Sequence, residues 1–300
     1  MKHNLNFAKF FRKFNLISII LTLISLLLIS IKGLNYGIDF KGGTLLEIRL
    51  DNKDTKISAI RDSLSNLNLG DINVKNFGEV GDFIIKIEKK VENNKDVIST
   101  IKTSLDQNLN QEINLRRVES VGPKVSEELL KSGLISIGLA LLMMLIYIWF
   151  RFEWQFSLGS IVALFHDVLI TIGIFSLLSI EINLSIVAAV LTIVGYSMND
   201  TVVIFDRVRE NLRKYSDIKI YELTNISINE TLSRTLITSI TTLLALLSIF
   251  FFGGEILKGF SLAMIFGVIF GTYSSIYIAN TVLVRLKVSQ KTVLREDDKI

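Results

Sequence analysis

Hydrophobic positions fall into two regimes along this chain. In the first, six nearly unbroken apolar runs cover residues 16–31, 133–150, 156–180, 182–205, 236–252 and 259–284. A helix rises about 1.5 Å per residue, so roughly 20 residues cross a hydrocarbon core of ~30 Å, and the pattern predicts six transmembrane helices. The first and fifth runs are short and are expected to borrow residues from their flanks. The stripe Ala263, Gly267, Gly271, Ser275 and Ala279 repeats every four residues in the sixth run. Small residues at that spacing predict a close helix–helix contact.

The second regime occupies residues 32–131. Leu46, Ile48 and Leu50 alternate with Glu47 and Arg49, and 71–77 and 83–88 alternate similarly around a turn holding Gly78 and Gly81. Period-two patterning predicts strands. Ile57, Ile60, Leu64 and Leu67 recur at helical spacing, as do Ile98, Ile101, Leu105 and Leu109, and 112–118 supplies a last strand. The order strand, helix, strand, strand, helix, strand predicts a ferredoxin-like α+β domain. Asp39-Phe40-Lys41-Gly42-Gly43 reads as a turn leading into the first strand. Its glycines do not open a helix, which argues against a phosphate cradle.

The predicted fold class is thus an α-helical membrane protein: six transmembrane helices with an outer α+β ferredoxin-like domain between helices one and two. Residues 1–31 form the N-terminus and first helix, 32–131 the outer domain, 132–285 helices two to six, and 286–300 the tail. The polar stretch 289–300 reads as disordered.

Charge sets the orientation. The chain has 33 basic and 29 acidic residues, for a net charge of +4, and 16 of each lie in 32–131. With both termini cytoplasmic, the short inner segments hold 16 Lys and Arg while the two short outer loops hold only Lys258, as the positive-inside rule requires. This is a topology pattern and not a nucleic-acid footprint. Lys2, Lys9, Arg12 and Lys13 precede the first run, and no small-residue cleavage site follows it, so it reads as an uncleaved signal anchor. Cysteine is absent and histidine occurs twice, at His3 and His166, which excludes thiol chemistry and multi-histidine metal sites. No cofactor or metal is expected.

The candidate chemistry lies inside the membrane runs. Asp200 precedes Asp206, where the charged inner segment begins, by six residues, which puts it roughly 9 Å inside the membrane. A carboxyl there is costly facing lipid, at about 2.5–3.5 kcal/mol, so it should face protein or water. Arg234, just ahead of the fifth run and four residues beyond Glu230, lies roughly 6 Å deeper than that residue if the helix has already begun, and is the natural partner. Burial and a nearby guanidinium act in opposite senses on such a carboxyl, which suits a proton carrier. A static ion pair fixing helix register is the other reading. Asn199, Thr192, Thr231, Thr235, Thr238 and Thr242 recur at helical spacing and would line a hydrated path. His166 and Asp167 in the third run read as a relay or as a buried hydrogen-bonded pair. One membrane histidine among many serines singles out no nucleophile, so an intramembrane hydrolase is a weak alternative.

Several segments together resemble a known family. They are Tyr36 to Gly43, Val121-Gly122-Pro123, Phe150 to Trp154, Ala163 to Ile170, and above all 195–211, with Gly195-Tyr196-Ser197-Met198-Asn199-Asp200-Thr201 at its head. Leu232 to Leu236 and Phe252 to Glu255 agree. These segments resemble the SecF family of protein-export membrane proteins, within the resistance-nodulation-division superfamily. The resemblance implies a bacterial inner-membrane subunit that pairs with SecD, joins the SecYEG channel and uses the proton-motive force to promote export of polypeptides. It also implies proton-transport roles for Asp200 and Arg234, with Asn199, Thr201, His166 and Asp167 in support. Ser126 stands where the family usually has glycine. A small-molecule proton antiporter of the same superfamily is the alternative, but it should need larger outer domains and usually a duplicated body.

Overall fold

The computed structural model describes residues 5–52, 55–67, 69–87, 94–215 and 218–293. Lys2, His3, Glu88 and the tail after Val293, all named above, lie outside the described residues. In chain order the elements are α1 (Phe11–Ile31), β1 (Asn35–Tyr36), α2 (Ile38–Lys41), β2 (Gly43–Leu50), α3 (Ile57–Ser65), β3 (Ile72–Asn76) and β4 (Asp82–Ile87). Then come α4 (Asn94–Leu109), β5 (Ile113–Val121), α5 (Pro123–Arg151), α6 (Trp154–Leu178), β6 (Glu181–Ile182), α7 (Leu184–Lys214) and α8 (Ile220–Phe252). The chain closes with α9 (Glu255–Ser274), a π-helical turn (Ser275–Ala279), α10 (Asn280–Arg285) and α11 (Gln290–Val293).

Two compact units result. One comprises Tyr36–Leu134 with Glu181–Leu184, and the other Met1–Asn35, Ile135–Ile180 and Ser185–Ile300. In the first unit β2 lies between β4 and β5, and β3 flanks β4, all antiparallel. The order β2-α3-β3-β4-α4-β5 with this strand arrangement is a split βαβ topology. One sheet face carries Leu46, Ile48, Ile85 and Ile87 against Ile60, Leu64, Ile101 and Leu105 of the two helices. Leu67, expected on the first of these helices, lies in the turn beyond it.

Other expectations change here. The turn expected at Asp39 to Gly43 is in part helical: α2 covers Ile38–Lys41, and Gly42 ends it at φ 79° and ψ 174°, a conformation essentially restricted to glycine, before β2 begins at Gly43. A Cβ on Gly42 would also lie 3.3 Å from the Val121 carbonyl and the Ser126 hydroxyl. The last strand runs on to Val121 instead of stopping at Val118. Glu181–Leu184, all but its first residue read from the sequence as the start of the fourth run, joins this unit: Glu181 pairs with Lys86, and the Leu184 amide donates to Asp39 Oδ2 at 2.9 Å.

Asp82, 4% exposed, receives Arg49 Nε at 2.5 Å and Nη2 at 2.6 Å. The hydrogen-bonded Arg49 guanidinium holds the Asp82 carboxyl below its usual range, overriding the opposing effect of burial. A depressed carboxylate stabilises the fold above its unfolded pKa of about 3.9, and that stabilisation is lost as pH falls through the lower folded value. Hydrogen exchange on the full chain should therefore show β2 and β4 protected down to about pH 4 and opening below it, with the acid response reduced in Asp82→Asn.

Among the described residues six helices are long and apolar enough to cross a membrane: Ala8–Ile31, Pro123–Arg151, Trp154–Leu178, Leu184–Lys214, Ile220–Phe252 and Glu255–Arg285. The first and fifth extend past their apolar cores, since both flanks stay helical. Leu16, Leu23 and Leu27 on α1 and Ile237, Leu244 and Phe251 on α8 are exposed, as bilayer-facing side chains are. At one end Phe152 and Phe156 stack with ring centroids 5.8 Å apart, and Phe205 meets both edge to face at 6.1 and 5.1 Å. Arg151 with Asp206, Arg209 with Glu153 and Arg207 with Glu230 form ion pairs at that end. The stretch 289–300 is not wholly irregular: Gln290–Val293 is a helical turn with Val293 buried.

The small-residue stripe sets how closely α9 meets α7. A Cβ on Gly267 would fall 2.3 Å from Ile193 Cγ1, and one on Gly271 would fall 3.2 Å from Ser197 Cα. Gly267→Ala should cost about 1–3 kcal/mol by overpacking. Thermal unfolding in detergent should detect the loss, and Ile193→Val in the same chain should recover part of it.

Candidate functional site: a buried carboxyl on the fourth span

The contact that Gly267 and Gly271 allow brings a row of polar side chains together between α6, α7, α8 and α9. Asp200, on α7, is 2% exposed. Its Oδ2 accepts from Ser239 Oγ on α8 at 3.4 Å and from Thr272 Oγ1 on α9 at 3.3 Å, and those two hydroxyls lie 2.7 Å apart. A second carboxyl, Asp167 on α6, is fully buried. Its Oδ1 lies 2.9 Å from His166 Nδ1, and its Oδ2 accepts from Ser197 at 2.6 Å and Ser274 at 2.7 Å. The short stretch Thr272 to Ser275 thus touches both: Thr272 holds Asp200, Ser274 holds Asp167, and Ser275 lies 2.7 Å from Thr201 Oγ1.

Directly after this stretch comes the π-helical turn. Its wider winding leaves carbonyls without their usual partners. Asn280 supplies one, its Nδ2 donating to Ser275 O at 2.8 Å and Ile276 O at 3.2 Å. π turns interrupt an otherwise regular helix and give it a local place to bend.

Asp200 and Arg234 are not in contact. Among the described residues no ion pair joins them, and the Arg234 side chain is exposed. The physical reason is axial as well as angular: Arg234 lies five residues, about 7.5 Å, from Ser239 along α8. A helix turns about 100° per residue, so Arg234 and Ser239 point about 140° apart, and it is Ser239 that faces Asp200. The expected ion pair is therefore replaced by two hydroxyl contacts. Asn199 and Thr192 are exposed on α7, Thr201 is buried, and of the expected path Thr231 and Thr235 are buried while Thr238 and Thr242 are only partly so. His166 and Asp167 do form a buried hydrogen-bonded pair, and His166 Nε2 touches no serine among the described residues. Such a pair lacks the nucleophile a hydrolase needs.

Sequence reasoning missed Ser197, Ser239, Thr272 and Ser274. Hydroxyls are frequent in these helices, and only the angular position of each, fixed by the glycine contacts, selects the four that reach a carboxylate.

Comparison with known proteins agrees with this architecture. Residues 100–289 match the family described as "Protein export membrane protein SecD/SecF, C-terminal", and residues 27–54 match the "SecD/SecF GG Motif", which includes Gly42 and Gly43. The protein translocase subunit SecF of Rickettsia felis is 46% identical over 93% of this chain and 90% of its own length. That of Rickettsia rickettsii is 44% identical over 98% of this chain and 96% of its own. The crystal structure of SecDF, a translocon-associated membrane protein from Thermus thermophilus, superposes with a TM-score of 0.85 at 35% identity. That match covers 94% of this chain but 38% of the SecDF chain, so the present chain spans well under half of that protein. Six apolar helices and these relatives make this a multi-pass protein of the bacterial inner membrane. With both the paired glycines and the membrane body matched, the chain belongs to the SecF family of protein-export membrane proteins.

Proposed function

We propose that this chain is the SecF half of a SecD–SecF pair attached to the SecYEG channel, and that Asp200 gains and loses a proton to drive export of polypeptides. Both termini lie in the cytoplasm in this reading, and the α+β unit faces the outer side. The observation that carries it is the setting of Asp200. A carboxyl buried within a membrane helix, held by hydroxyls instead of a salt bridge, can change charge without first breaking an ion pair. A change of charge there alters its hydrogen bonds with Ser239 and Thr272, and through Thr272 bears on the stretch that also holds Asp167. The π turn next to that stretch gives the sixth span a place to bend. His166, Asp167, Asn199 and Thr201 support this movement, and Arg234 tunes the carboxyl from outside the contact shell.

In this reading SecD covers the exposed face carrying Asn199 on α7 and Arg234 on α8. An exposed intramembrane guanidinium and amide are costly against acyl chains, so a membrane partner covering them relieves that cost. The chain lacks cysteine, so single cysteines report position cleanly. Asn199→Cys should cross-link to SecD in native membranes, whereas Leu16→Cys, on the apolar face of α1, should not. Absence of any Asn199 cross-link to SecD, with the complex intact, would count against the assigned face.

A further inference from the structure

From Asp200 the buried face of α8 leads away in steps of four residues: Ser239, Thr235, Thr231 and Ser227, none more than 9% exposed. That spacing sets successive side chains about 5–6 Å apart along one line of the helix. Three of the four hydroxyls are satisfied. Ser239 bonds Asp200 and Thr272, Thr231 donates to Ser227 O at 2.9 Å, and Ser227 Oγ receives Asn211 Nδ2 at 2.9 Å. Thr235 is the exception. It is 1% exposed, and its Oγ1 has no hydrogen-bond partner among the described residues.

A buried hydroxyl in a polar setting without a protein partner is where an ordered water belongs. A water there would also bridge a gap too long for direct transfer between rungs. At its far end the line meets Asn211, whose Nδ2 donates to Ser227 Oγ at 2.9 Å and to Glu230, about one-third exposed, at 2.7 Å; Glu230 also accepts from Arg207 Nε at 2.7 Å. Arg207 is shared with Glu210, so one arginine joins two carboxylates here.

We propose that the buried hydroxyl face of α8, from Asp200 through Ser239, Thr235 and Thr231 to Glu230, carries protons between the buried carboxyl and the cytoplasmic side, with water held at Thr235. The proposal rests on the role given to Asp200 above. In release, the Asp200 carboxyl passes its proton to the Ser239 oxygen as Ser239 gives its own hydrogen to the water beside Thr235. The same exchange repeats past Thr231. One proton leaves Asp200, one reaches Glu230 and then solvent, and every hydroxyl is regained.

The test uses membrane vesicles containing the chain with its partner subunits, loaded with a pH-sensitive dye and given an imposed proton gradient. Thr235→Val keeps the shape and removes the hydroxyl. It should lower proton flux by about a hundredfold, the lower end of what losing a positioned proton-transfer group costs. Thr235→Ser, which restores the hydroxyl, should recover flux to within a few fold of the parent. If Thr235→Val conducts like the parent while Asp200→Asn does not, the route is overturned and the Asp200 reading stands. If Asp200→Asn itself conducts normally, both fall. Equal loss in Thr235→Val and Thr235→Ser would mark the residue as structural and overturn the route. Should Thr235→Val fail to accumulate, Ser239→Ala removes the next rung and decides by the same criteria.

Discussion

Asp200→Asn is expected to leave the bundle folded and to abolish proton-driven export. Asparagine matches the aspartate in volume, and its side-chain oxygen can still accept from Ser239 and Thr272. What it lacks is a second charge state. One charge moved through 100 mV is worth about 2.3 kcal/mol, or about a fiftyfold shift in a two-state equilibrium. Without ionisation at this position that energy has no carboxyl to act on in the apolar stretch 182–205 of α7. Export from vesicles of defined gradient should therefore fall to the level seen with the gradient collapsed. Thermal unfolding and co-purification with partner subunits should stay close to the parent. A variant that exports normally would remove Asp200 from the mechanism, and one that fails to assemble would recast the carboxyl as structural.

The second large effect concerns Arg234. Had it formed an ion pair with Asp200, removing it would strand a buried charge and cost about 3–5 kcal/mol of stability. The structure gives Asp200 hydroxyl partners and leaves Arg234 exposed. Arg234→Leu should then lose export as completely as Asp200→Asn, because the through-space bias on the carboxyl is gone, while the unfolding temperature of the isolated chain barely moves. Arg234→Lys, which keeps the charge, should retain part of the activity. A large drop in stability with Arg234→Leu would mean that the two residues meet in the state that populates the membrane.

Much of the frame was legible because the two periodicities are physically distinct. Unbroken runs near 20 residues have no soluble solution, and the alternation of Leu46, Ile48 and Leu50 has no helical one. The depth of Asp200 followed from counting residues to Asp206. Its partners did not, because depth is one coordinate and the angle around the axis is another. Arg234 and Ser239 lie five residues, about 7.5 Å, apart along α8 and point to different sides of it, and a count to the cytosolic edge does not say which of them meets Asp200. The stripe from Ala263 to Ala279 announced a close contact, yet which side chains that contact would bring together depended on the register in which Gly267 meets Ile193 and Gly271 meets Ser197. The π turn left no trace, since Ser275 to Ala279 is as apolar and helix-compatible as its neighbours. Gly42 and Gly43 were visible as a turn signal, but a helical turn of four residues ahead of them is too short to show a period.

Infrared difference spectroscopy on the partner-bound complex, taken with and without an imposed proton gradient, observes the carbonyl stretch of a protonated carboxylic acid directly. The account predicts a band that changes with the gradient in the parent chain and is missing in Asp200→Asn. The same band persisting unaltered in Asp200→Asn, or no gradient-dependent carboxyl signal in the parent, would contradict it.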